Sequence, residues 1–102
     1  PQMLEAARWL AANLLKKTGN GEAAVSKAFE RILTRSPESS ELKQLLAYYQ
    51  ARRKELQSDK NRAEKMLQVG EVAQAKGVNP SECAALSEVV QIIYNMDETI
   101  TK

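Results

Sequence analysis

The stretch Asn79-Pro-Ser-Glu-Cys-Ala-Ala-Leu-Ser-Glu-Val-Val-Gln-Ile-Ile-Tyr-Asn-Met-Asp-Glu-Thr-Ile-Thr-Lys102 decides the fold. Its opening is a helix start: Asn79 can cap, Pro80 suits the first helical position, and Glu82 stands where a capping box wants a carboxylate. Cys83, Leu86, Val89, Val90, Ile93 and Met96 then recur at three- and four-residue steps. With Ile92 and Tyr94 beside them, apolar surface wraps more than half of the cylinder. A helix of that kind is central, so the Pro80–Tyr94 segment is expected to be the most buried of the chain. At its end Asn95-Met96-Asp97-Glu98 interrupts the apolar run. Local backbone chemistry favours Asn95 as the end of the helix and Asp97 as the cap of a final turn. The functional alternative makes Asn95, Asp97 and Glu98 a polar site facing another domain.

Working backwards, Val69 to Val78 lacks periodicity and has Gly70 and Gly77 near its ends, which reads as a loop of about ten residues. Ser58-Asp59 is a new start signal, after which Ala63, Met66 and Leu67 carry a short helix; the alternative is one bent helix from Ser39 to Gln68. Leu42, Leu45, Leu46, Tyr49 and Leu56 mark the helix before it. The Arg52-Arg53-Lys54 cluster late in that helix complements its dipole. Val25, Ala28, Phe29, Ile32 and Leu33 define a helix ending near Thr34, with Asn20 as cap and Ser36-Pro37 as stop. On the first helix Met3, Leu4, Ala7, Leu10, Ala11, Leu14 and Leu15 form the stripe, Lys16 and Lys17 occupy the last turn, and Gly19 supplies a left-handed stop. Trp9 lies about 100° off that stripe. It is either half-buried under a neighbour or a contact with something outside the chain.

At 102 residues and 43% hydrophobic, with only four glycines and three prolines, the chain is one domain with one core. The expected class is all-α, an irregular bundle of four to five helices spanning residues 1–102. Fifteen basic and 13 acidic side chains leave a net charge of +2 without a strong field for polyanions. Lys27, Arg31 and Arg35 share a helix face at four-residue spacing, but Glu30 breaks it and no aromatic interleaves, so nucleic acid is not implied. No run of about 18 apolar residues or leader segment is present. The start at Pro1 reads as that of a fragment cut from a longer protein. Histidine is absent, which removes the commonest general base and zinc ligand, and no haem-attachment sequence exists. Cys83, the single cysteine, sits on the apolar face as a packing residue. No catalytic, metal-binding or cofactor-binding constellation emerges, and no cofactor is expected.

Ala28-Phe-Glu-Arg-Ile-Leu-Thr-Arg-Ser-Pro37, then Glu41-Leu42, Leu67-Gln-Val-Gly-Glu71, Ala84-Ala85 and Asn95-Met-Asp-Glu-Thr99 carry a family pattern. Over Met3 to Lys102 the chain resembles the C-terminal part of the planctomycete family known as domain of unknown function 1553. Leu86 stands where that family often has tryptophan, and Glu38 where a Ser or Thr cap is usual. The resemblance implies the end of a large exported protein, extracytoplasmic (periplasmic or cell-surface), often with a planctomycete-type cytochrome c domain upstream. It carries over no catalytic residue. The expected role is a non-catalytic structural or interaction module that packs against upstream domains of the same polypeptide or recruits other proteins, with Trp9, Asn95, Asp97 and Glu98 as candidate interdomain contacts. The alternative is an enzyme site shared with those domains, to which Glu71, Asp97 or Glu98 would contribute a carboxylate. A nucleic-acid-binding domain is the third class.

Overall fold

The computed structural model describes residues 2–59, 61–63, 65 and 77–101, with side chains described for 5–59, 61–63, 65 and 77–96. Four helices have described bounds: α1 (Gln2–Thr18), α2 (Gly21–Leu33), α3 (Ser39–Gln57) and α4 (Pro80–Thr101). Residues 61–63 are helical as well, and no strand occurs among the described residues. The architecture is an all-α bundle.

Several helix ends sit where local chemistry asks for them. Gly19 takes φ +67° and donates its N–H to the Leu15 carbonyl at 2.8 Å, which closes α1 in the left-handed conformation that glycine adopts without steric cost. Asn20 then caps α2, its Oδ1 accepting from the N–H groups of Glu22 at 2.8 Å and Ala23 at 3.3 Å. Asn79 does the same for α4 through the Glu82 N–H at 3.1 Å. At the start of α3 the side chain of Glu41 reaches back to the Glu38 N–H at 3.0 Å, satisfying a donor that the helix leaves open. The chain breaks after α3 rather than bending, because Asp59 Oδ1 accepts from the Arg62 N–H at 3.1 Å and opens a new turn. Ala63 in that turn is fully buried. Met66, Leu67 and the expected loop from Val69 as far as Lys76 lie outside the described residues.

Two expectations change. The stop of α2 is Thr34, in the left-handed region at φ 57° and ψ 30°, with its N–H on the Glu30 carbonyl; Ser36-Pro37 lies beyond the helix instead of ending it. At the other end of the chain Asn95 does not end the helix. The backbone remains α-helical through Thr101, so Asp97 is inside the helix and cannot cap a separate turn. Neither glycine nor proline follows Asn95, and Met96 stays half-buried against the core, so packing continues along the same face past the polar interruption.

The organising helix is α4, which packs against α1, α2 and α3; α2 in addition contacts both α1 and α3. Cys83, Ala84, Ala85, Leu86, Val89, Val90 and Ile93 are all fully buried. The small residues Cys83, Ala84, Ala85 and Ser87 let neighbouring helices approach from several sides. The buried Ser87 hydroxyl is satisfied by donating to the Ala84 carbonyl at 2.8 Å. Ala7, Leu10, Ala11, Leu14 and Leu15 of α1 and Ala24, Val25, Ala28 and Phe29 of α2 complete the core with Leu45, Tyr49 and Leu56 of α3.

Candidate functional site

Two large hydrophobic side chains stand out of the described surface, Trp9 at 47% exposure and Tyr48 at 39%. Trp9 is the one set in relief. It borders a recess of about 430 Å³ where three helices meet: Ala6 and Leu10 of α1, Arg31 and Ile32 of α2, and Tyr94 of α4 form its walls with Trp9. It also borders a second recess of about 460 Å³, walled by Asn13, Leu14, Lys16 and Lys17 of α1 and again by Arg31. Trp9 and Arg31 thus line both, the first recess being the more apolar on its Tyr94 side and the second carrying the two lysines.

The local reason for this surface is helical geometry. Trp9 sits one position from the buried Arg8 and Leu10 and one turn from Asn13, whose Nδ2 donates to the Trp9 carbonyl at 2.8 Å. Leu10 and Leu14 turn into the core and leave Trp9 on the flank, where α2 brings Arg31 to it. Among the described residues no carboxylate lines either recess. Glu5 and Glu30 are exposed nearby in sequence but do not reach in. Within the same residues, no carboxylate forms an ion pair with Lys16, Lys17 or Arg31.

The other basic residues are committed elsewhere. Arg35 makes a two-pronged ion pair with Glu41, with both N···O distances 2.9 Å, and lies 4.9 Å over the Phe29 ring. That pair holds the Glu41 carboxyl well down, to about 2, first through the hydrogen bonds from Arg35 and then through the Glu38 N–H. Arg52 is more than a complement to the α3 dipole. Its Nε and Nη2 grip the two Glu88 oxygens at 2.6 and 3.1 Å while Nη1 meets Glu55 at 2.6 Å, tying α3 to α4. Arg53 is held by the Gln50 amide oxygen, and Gln50 in turn donates to Glu22 of α2 at 2.6 Å. Neither the row Lys27, Arg31, Arg35 nor the cluster Arg52, Arg53, Lys54 is therefore a continuous set of open cations.

Of the residues singled out from sequence, Trp9 lies at the surface described above, and Asn95 is exposed on α4 one residue beyond Tyr94. The side chains of Asp97 and Glu98, and all of Glu71, lie outside the described residues. Arg31, Lys16, Lys17 and Tyr94 do not stand out as a group in the sequence. The signal available for them is an off-stripe tryptophan with two lysines two turns later on one helix. Cys83 is a packing residue: it is fully buried, and burial pushes its thiol up to about 11 against a smaller opposing effect of Lys16. No group of three or more His, Cys, Asp or Glu placed to hold a metal ion occurs among the described residues. Within the same residues no helix is long and apolar enough to cross a membrane.

Comparison with known proteins returned no match: no family model fits this chain, and no curated protein and no solved structure aligns with it significantly.

Proposed function

We propose that the chain is a non-catalytic helical interaction module whose working surface is the Trp9 face. The observation that carries this reading is Trp9 itself. Nearly half of a tryptophan that lines two recesses is left in water, and among the described residues only Tyr48 is a comparably exposed large apolar side chain. Tryptophan and arginine side by side are the residue types most enriched where protein partners dock, since each offers a large contact area with directional donors. The resemblance to the C-terminal part of domain of unknown function 1553 supports an occupant from upstream in the same exported polypeptide, in an extracytoplasmic setting.

The test is hydroxyl-radical footprinting of the intact gene product and of residues 1–102 alone, read at Trp9. Trp9 protected in the intact product and reactive in the isolated chain is the expected result. Equal reactivity in both overturns the proposal.

A further inference from the structure

The two recesses differ in chemistry, and their difference specifies what they would hold. The Tyr94 side is walled by Ala6, Leu10, Ile32 and two aromatic rings, a lining suited to an apolar side chain. The lysine side presents Lys16, Lys17 and Arg31 with no carboxylate among its described walls. Arg31 lines both, as Trp9 does. Lys16, Lys17 and Arg31 line the lysine-side recess without an ion pair to any described carboxylate, while Arg35 and Arg52 are paired with glutamates elsewhere. A cationic rim without ion-paired carboxylates beside an exposed aromatic attracts carboxylates, and the gain grows as the partner excludes water from the Trp9 ring. We infer that the Trp9 face binds an acidic peptide segment, with one apolar side chain seated on the Ile32–Tyr94 side and the flanking carboxylates on Lys16, Lys17 and Arg31.

Peptide is favoured over nucleic acid because the three cations line a single recess. A phosphate backbone needs a track of cations, and Arg35 and Arg52, which would extend one, are held by Glu41 and Glu88. This inference rests on the interaction-module reading and narrows it to one partner chemistry.

The experiment is selection of a random peptide library displayed on phage against the folded chain, with Trp9→Ala as counter-selection. Selected peptides are then measured by the emission of Trp9, the only tryptophan in the chain. Peptides rich in Asp and Glu around a Leu or Phe, bound about tenfold more weakly by Arg31→Glu and more weakly as salt rises, are the expected result. Circular dichroism of each variant, with helicity like that of the parent chain, establishes that the loss is one of binding. Neutral or basic winners overturn the inference, and so does acidic binding that Arg31→Glu leaves intact. Tighter binding of a single-stranded oligonucleotide than of any peptide overturns it in favour of nucleic acid. Should acidic peptides fail while footprinting still finds Trp9 covered in the intact gene product, the interaction module stands and only the acidic chemistry falls.

Discussion

The phenol of Tyr49, on α3, occupies the space that a side chain on Gly21 would need: a methyl group at that Cα would overlap the hydroxyl and the adjoining ring carbons. Tyr49 is almost fully buried, and its burial raises the phenol to about 12, so it stays neutral across the ordinary pH range. Gln50, next to Tyr49 in sequence, donates to Glu22 and accepts from Arg53, a polar strap that joins α2 to α3. Glycine at the first position of α2 is therefore required by a neighbour 28 residues away rather than by the turn that precedes it.

Gly21→Ala should destabilise the chain by about 1–3 kcal/mol, the range for overpacking a filled site, although alanine is the better helix former. Chemical denaturation measures this directly. In a Tyr49→Phe background the cost should shrink, because the deepest overlap is with the hydroxyl; an unchanged cost would show that the contact is not what constrains Gly21.

Ile93→Ala removes a fully buried side chain from the helix that touches the other three, and a loss of about 2–5 kcal/mol is expected. A loss below about 0.5 kcal/mol would place α4 at the periphery of the fold.

Thr34 is a β-branched residue in the left-handed region, where a Cβ costs roughly 1–2 kcal/mol. Thr34→Gly relieves that strain but adds chain entropy to the unfolded state. A net gain of roughly 0.5–1 kcal/mol is expected. Destabilisation instead would mean that the Thr34 hydroxyl, which donates to the Leu33 carbonyl at 2.7 Å, outweighs the strain.

Glu41 gives the chain an acid-sensitive latch. Its carboxyl is depressed from 4.5 to about 2, so the stabilisation it provides is fully present above about 4.5 and is lost as pH falls through about 2. The Arg35 and Glu41 side chains are 41% and 24% exposed, so solvent screens the pair and the effect is modest. Unfolding curves of the parent chain and Glu41→Gln should converge across that window on acidification. Parallel curves would assign the acid response to other carboxylates.

Cys83 should react with a thiol reagent only when the bundle opens, because its sulfur is buried and its thiolate disfavoured. Labelling in native buffer is expected to lag that in denaturant by orders of magnitude. Equal rates would require α4 to be exposed.

The caps are readable in the sequence because each is a matter of a few neighbouring residues. Asn20, Asp59 and Asn79 each accept from an N–H two or three positions ahead, and the apolar stripes of α1 and α4 repeat within a turn. The same short range misleads at Asn95. Its polar side chain resembles a helix end, yet the stripe from Val89 through Ile93 to Met96 keeps α4 against the core, and the helix runs on to Thr101. For Trp9 the angular offset from the stripe is legible, but not the company it keeps, since Arg31 and Tyr94 arrive from other helices.

Sequence alone determined the all-helical class, the main helix starts and the central place of the last helix, because capping and amphipathic periodicity act between residues at most four apart along the chain. The tertiary structure alone decided which faces meet. It set Tyr49 against Gly21, drew Arg52 to a glutamate 36 residues away, and brought Trp9 and Arg31 into the lining of the same two recesses. Those relations depend on how helices of fixed pattern dock, and docking is settled by the simultaneous filling of one core by side chains from all of them.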